Sequence, residues 1–192
     1  MKALWAVGPV KAIRFLWELM SCCMVEHCVF PQIRVGLLRL FGARIGRNAI
    51  IYPVRFINLY RGSFKNLTLG DDCFIGHECL IDLAGEITLG DQVTLAQRVS
   101  LMTHMNVGYP DHPLQTEFPA HVRAVRIGTG SFVGTGSTVL AGATVGRCCF
   151  VAAGAVVNDE FPDGVLLGGV PARILRKLPS ESIETGQETI HE

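Results

Sequence analysis

From Ile127 onward an aliphatic residue returns at every sixth position, at Ile127, Val133, Val139, Val145, Val151 and Val157, without a slip. An earlier block carries Leu69, Ile75, Ile81 and Ile87 and, after a shift of two residues, Leu89, Leu95 and Leu101; a weaker start lies at Ile45, Ile51 and Ile57. A repeat of this kind dictates architecture before any local propensity does. Two positions before the aliphatic residue lies a small one: Ser131, Ser137, Ala143, Cys149 and Ala155 in the later block, Cys73, Cys79, Val93 and Val99 in the earlier. Side chains two apart on an extended segment point the same way, so each hexad sends one small and one larger apolar residue to a single face. A period of 3.6 cannot reproduce that pattern over so many hexads. The residue after the aliphatic one is repeatedly glycine, at Gly46, Gly70, Gly76, Gly90, Gly128, Gly134 and Gly146, which predicts tight turns between short strands. Three hexads then close one triangular coil, and successive coils stack by parallel pairing at about 4.8 Å. The expected fold is an all-β solenoid whose core is a column.

This geometry assigns the cysteines. There are seven, an odd number, in a chain of 192 residues that is long enough to bury a core without disulfides, so they are expected as reduced thiols in a cytoplasmic protein. Cys73, Cys79 and Cys149 fall on the small inward position and act as compact hydrophobes, Cys148 points outward, and Cys22, Cys23 and Cys28 precede the repeat. None has metal-ligand spacing. Lys plus Arg and Asp plus Glu balance at 17 each, which argues against a partner that is nucleic acid.

Two segments depart from the period. The first is the apolar stretch before the coils, interrupted by charges and followed by no small-residue cleavage site, so it is read neither as a spanning helix nor as a signal peptide. Lys11, Arg14, Glu18 and Ser21 recur at helical spacing and draw a narrow polar stripe on it. A second, shorter helix is expected to begin near Pro31, present Ile33, Leu37, Leu40 and Phe41 to one side and end at Gly42. These helices either cap the first coil or lie on a membrane surface. The second departure runs from 102 to 126, THMNVGYPDHPLQTEFPAHVRAV in its body, with three prolines and three histidines. An excursion this long from so regular a scaffold points to function. The domain boundaries expected are a helical segment over 1–41, the repeat over 42–178 and a polar tail over 179–192.

The later hexads, the loop opened by the Thr-His pair in LMTH and the closing GGVPARILRK together resemble the hexapeptide-repeat acyltransferases, and within them the branch of maltose, galactoside and exopolysaccharide O-acetyltransferases. The likeness runs from Gly42 to Leu178. It implies a left-handed parallel β-helix, a homotrimer with active sites between neighbouring subunits, and acetyl-CoA as co-substrate. It makes His104 the general base that takes the proton of an acceptor hydroxyl, a task that suits imidazole. Asp82 matches an aspartate placed against the acceptor's hydroxyls, with His77 and Glu78 one strand earlier as further substrate-binding candidates. The backbone N–H near Thr135 would face the thioester oxygen, Gly134 and Gly136 would keep that edge open, and Ala153 would lie along the pantetheine arm. Arg173, Arg176 and Lys177 would meet the coenzyme phosphates. His112 and His121 are read as solvated loop residues. A basic residue common in the family near Asn158 and Asp159 is missing, which weakens individual phosphate contacts. The apolar beginning, where maltose and galactoside enzymes have a polar helical segment, favours an acceptor from polysaccharide or lipopolysaccharide synthesis, including a lipid-linked one, and a position in the cytoplasm or at the inner face of the membrane.

Three rivals stay open: acetylation of an amino-sugar or of serine, a non-catalytic scaffold using the same solenoid as a spacer, and a zinc hydratase of the carbonic anhydrase kind. The last needs three converging imidazoles. The histidines at 77, 104, 112 and 121 lack the spacing of such a site, and no bound metal is expected.

Overall fold

In the structure, a computed structural model that describes residues 9–179, the chain runs through two helices into a left-handed parallel β-helix. The side chains of residues 9–12 and 14 are not among those described. The coils have three faces. Face A stacks Arg44–Ile45, Leu67–Leu69, Ile87–Leu89, Val125–Ile127, Thr144–Val145 and Glu160–Phe161. Face B stacks Ile50–Ile51, Phe74–Ile75, Thr94–Leu95, Phe132–Val133, Phe150–Val151 and Val165–Gly168, and is closed by the antiparallel strand Arg173–Lys177. Face C stacks Arg55–Ile57, Leu80–Asp82, Ser100–Leu101, Thr138–Val139 and Val156–Val157.

From Leu69 onward the aliphatic positions are in register with their copies above and below, as in Leu95↔Val133↔Val151 and Leu101↔Val139↔Val157, whereas on face C of the first coil Phe56, and not the expected Ile57, pairs with Ile81. These side chains are buried, and each contributes roughly 1.5–3 kcal/mol of transfer free energy to the column. The small inward residues are buried too. Those with a hydroxyl or thiol use it to tie coils together: Ser131 Oγ donates to the Gly146 carbonyl at 2.8 Å, Ser137 Oγ to Ala152 at 2.9 Å, and Cys79 Sγ to Ala96 at 3.1 Å. Burial pushes the Cys79 thiol up to about 11, so it stays protonated and inert.

The glycines after the aliphatic positions serve a purpose other than the one the turns suggested. Positive φ falls two residues later, on Asn48, Asp72, Gln92 and Cys148, or on Gly130, Gly136 and Gly154. At the earlier glycine the backbone of the next coil passes so close that a side chain has no room: a Cβ on Gly134 would lie 2.6 Å from Ala153 N, and one on Gly46 2.4 Å from Gly70 C.

The helices correct the sequence reading. The first, α1 (Pro9–Glu26), turns Glu18 and Ser21 inward, while Ile13, Leu16, Trp17 and Met20 are between 48% and 68% exposed. Of the expected polar stripe, the side chains of Lys11 and Arg14 lie outside the described set. The second, α2 (Pro31–Leu40), buries Arg34, Val35 and Leu38; of the set expected on one side, Leu37 and Phe41 pack against the core while Ile33 and Leu40 are exposed. The physical reason is the open edge of the first coil, where strand polar groups have no further coil to pair with. Arg34 covers it: Nη1 donates to the Ile51 carbonyl at 2.7 Å and Nε to Val25 at 3.1 Å, while Nη2 donates to Cys28. Arg39 donates to the Ile45 and Gly46 carbonyls, and the Glu26 carboxylate accepts the Phe56 N–H at 2.7 Å on face C. A carboxylate and two guanidiniums thus close what hydrophobic packing alone would leave unsatisfied. No helix among the described residues is long and apolar enough to cross a membrane. The expected 179–192 tail lies outside the described residues beyond Pro179.

Candidate active site

The corner between faces C and A is where the period fails. Coils in the later half take 18 residues, Ile127 to Val145, but Leu69 to Leu89 takes 20 and Ile45 to Leu69 takes 24. The extra residues fall after face C, and they assemble a polar cluster in three successive coils. Asp82 ends the strand Leu80–Asp82 with no side-chain exposure. Its Oδ1 accepts from Asn58 Nδ2 at 2.8 Å and from the Ala84 N–H at 3.1 Å. Its Oδ2 accepts from the Thr103 and His104 backbone N–H groups, at 2.9 and 3.1 Å, and faces His104 Nδ1 at 2.5 Å. Thr103 Oγ1 donates to the Asp82 carbonyl and accepts the Gly85 N–H, each at 2.9 Å, which fixes the backbone around the carboxylate.

Burial is the largest single influence on Asp82 and works to raise its pKa; the hydrogen bonds from His104, Asn58, Thr103 and Ala84 outweigh it together and hold the carboxyl below the usual range. An ionised carboxylate accepts only, so His104 Nδ1 carries the proton of that bond and Nε2 keeps its lone pair. His104 is a fifth exposed. Its backbone is held by a two-residue ladder, His104–Met105 against His121–Val122, and the Arg123 N–H donates to Thr103 at 2.8 Å to close the loop at its base.

Asp82, expected to meet acceptor hydroxyls, has no side-chain exposure, and both its carboxylate oxygens are engaged by groups of this chain, His104 Nδ1 among them. Asn58 was missed by the sequence reading. It has positive φ and follows the weak hexad ending at Ile57, and an Asn there is indistinguishable from an ordinary turn residue.

The corner between faces B and C is the opposite in character: it repeats. His77 and Glu78, Gln97 and Arg98, Thr135 and Gly136, and Ala153 and Gly154 occupy equivalent positions in successive coils, linked by N–H groups that donate to carbonyls of the preceding coil: Arg98 to His77, Gly136 to Gln97 and Gly154 to Thr135. The backbone N–H groups of Thr135 and Ala153 donate to nothing among the described residues, and both residues are exposed. Thr135 Oγ1 donates to Gln97 Oε1 at 3.3 Å. His77 stacks on Tyr52, with ring centroids 4.3 Å apart, and Glu78 pairs with Arg98 at 2.7 Å on the surface. His77 and Glu78, grouped with Asp82 from sequence, thus lie in line with Gly134, Thr135 and Ala153, at the other end of face C from Asp82 and His104. Arg173, Arg176 and Lys177 are exposed on the closing strand of face B, with Arg173 paired to Gly168 at the end of that face nearer the B–C corner. Among the described residues no group of three or more His, Cys, Asp or Glu side chains is placed to hold a metal ion.

A family model described as "Hexapeptide repeat of succinyl-transferase" matches residues 66–97 and 124–159, the two runs of coils on either side of the loop. The chain is 34% identical over 186 residues to the putative colanic acid biosynthesis acetyltransferase WcaF of Escherichia coli, a match covering 94% of this chain and 86% of that one. It is 49% identical to gamma carbonic anhydrase 1 of Arabidopsis thaliana, but over 55 residues, 28% of this chain and 20% of the other, so that likeness covers a small part of either protein. Among solved structures, the hexapeptide-repeat acetyltransferase VCA0836 of Vibrio cholerae, crystallised in complex with acetyl coenzyme A, superposes with a TM-score of 0.75 at 24% identity, covering 91% of each chain.

Proposed function

Because the chain belongs to the hexapeptide-repeat acetyltransferases, we propose that it moves the acetyl group of acetyl-CoA to a hydroxyl of a sugar in a polysaccharide or lipopolysaccharide precursor, with His104 as general base. The observation that carries this reading is the His104 Nδ1 to Asp82 contact at 2.5 Å, which leaves Nε2 as the free basic nitrogen. The acceptor O–H gives its proton to Nε2 as its oxygen attacks the thioester carbonyl. The tetrahedral intermediate collapses, the C–S bond breaks, and the imidazolium returns the proton to the coenzyme thiolate. Asp82 stays ionised and stabilises the imidazolium between the two transfers.

Within one chain, His104 and the exposed N–H groups of Thr135 and Ala153 stand at opposite ends of face C. A homotrimer joins them, the C–A corner of one subunit facing the B–C corner of the next. In that cleft the Thr135 N–H stabilises the oxyanion, the Ala153 N–H and the narrow Gly134 edge receive the pantetheine arm, and Arg173, Arg176 and Lys177 supply charge for the phosphates. WcaF is described as acting in colanic acid biosynthesis, which supports a sugar acceptor here. The test is a panel of sugar, amino-sugar and serine acceptors with acetyl-CoA, read by thiol release. Acetylation of sugar hydroxyls that depends on His104 is expected. Turnover with amines alone would move the activity to N-acetylation, and failure to bind acetyl-CoA would leave only the scaffold reading.

A further inference from the structure

The balance of 17 basic and 17 acidic side chains conceals a separation of charge along the chain. Residues 1–70 carry ten of the Lys and Arg but only Glu18 and Glu26 of the acidic set, a net +8 against −8 for the remainder. Both carboxylates are turned away from solvent: Glu18 is buried under α1, and Glu26 accepts the Phe56 N–H. Arg39, Arg44, Arg55, Arg61 and Lys65 are exposed and form no ion pair among the described residues. The same end of the molecule presents the apolar side chains of α1: Ile13, Leu16, Trp17, Leu19, Met20 and Met24, between 47% and 68% exposed. Val29 and Phe30, in the connection to α2, continue the surface at 77% and 64%.

We propose that this helical end binds the surface of an anionic lipid bilayer, with α1 lying in the interface and the basic residues of the first coil against the headgroups. An interfacial helix needs an apolar face of this kind with cationic flanks, and an indole suits the headgroup level. Each exposed Lys or Arg adds attraction to anionic lipid that falls away within a Debye length. A second copy of the chain is a poorer occupant, because it would set the same positive charge against itself. A nucleic acid would leave the apolar face in water. The surface binding is independent of the acyl-transfer reading. Where both hold, Asn58, Asp82 and His104 climb one coil at a time from the covered edge, and the His104 ring reaches back to within 3.4 Å of the Asn58 side chain, so it sits no more than about two coil spacings, ~10 Å, above the first coil. A sugar acceptor carried on a membrane lipid would be presented at that height.

The chain has two tryptophans: Trp17 lies on this face and Trp5 precedes α1 in the sequence, so a lipid-dependent change in intrinsic fluorescence reports on the N-terminal segment. Full-length protein is titrated with vesicles of phosphatidylcholine, and with vesicles of phosphatidylcholine mixed with phosphatidylglycerol, followed by emission and by co-sedimentation. Binding at least about 10-fold tighter to the anionic vesicles is expected, with a blue shift and with loss at high salt. Leu16→Gln combined with Met20→Gln, both on exposed positions, should keep the circular dichroism of the wild type and lose binding to either vesicle. Arg61→Gln with Lys65→Gln should weaken only the anionic titration. The proposal is overturned if the wild type binds neither vesicle, if it binds both equally at every salt, or if the Leu16→Gln, Met20→Gln protein binds as the wild type does. It is also overturned if that protein dissociates in light scattering while the wild type ignores lipid, which would assign the face to a second copy.

Discussion

The two corners that flank face C are built from the same strands and come out differently. The B–C corner repeats from the second coil on, with a small residue (Gly76, Ala96, Gly134 or Ala152) after the face B strand, two exposed residues and a carbonyl to N–H link to the turn above. The C–A corner is a different length in each early coil and holds an Asn, an Asp and a His locked to one another. Repetition yields a ladder of identical backbone donors, suited to a long flexible ligand with amides at intervals. Irregularity yields one chemically distinct point. A solenoid can acquire an active centre without disturbing its column because the insertions leave the hexad strands in register on either side, as Leu89↔Ile127 does across the whole loop.

Substitutions should separate the corners. His104→Ala has the largest expected effect, a fall in kcat of roughly 10²- to 10⁴-fold with KM for acetyl-CoA little changed, measured by steady-state kinetics on folded protein. Asp82→Asn should follow at about 10- to 10³-fold in kcat, since the amide no longer fixes the tautomer with the lone pair on Nε2. This variant also carries a pH signature. The folded pKa of Asp82 is depressed, so the stability it contributes is fully present above its unfolded value, near pH 4, and is lost as pH falls through the folded value. The stability gap between wild type and Asp82→Asn should therefore be flat above about pH 4 and shrink below it in acid titrations followed by circular dichroism.

At the other corner, Gly134→Ala forces a Cβ to 2.6 Å from the next coil's backbone, and thermal or urea unfolding should show a loss of about 1–3 kcal/mol. The smallest effect expected is from Thr135→Ala, about 3-fold or less in kcat, because the backbone N–H and not the hydroxyl faces the cleft. A large loss there would mean that the hydroxyl itself takes part and that the corner is less uniform in function than in form.

What could be read from the sequence follows the same division. The hexads of Ile127–Val157 gave faces, register and inward cysteines because each constraint recurs five or six times. His104 was legible through the Thr-His pair and the broken period. Asp82 was legible as a position but its burial was not, because enclosure by the residues at 83–86 and 103–104 is a tertiary fact. Asn58 left no signal, as one amide in a weak hexad. Which side of the helices faces inward was not legible for a related reason: a hydrophobic pattern does not reveal that an arginine, Arg34, is buried against the carbonyls of an edge strand.

The most direct test of the account is whether the two corners work across a subunit boundary. His104→Ala, with its B–C corner intact, and Ala153→Trp, with its C–A corner intact but its coenzyme edge blocked, are each expected to be nearly inactive. Co-expressed with two different tags and purified through both, mixed trimers should regain activity, about a third of the wild-type value, because one of the three sites in each mixed trimer pairs two intact corners. Activity no higher than that of the parents, in trimers shown to contain both chains, would contradict it.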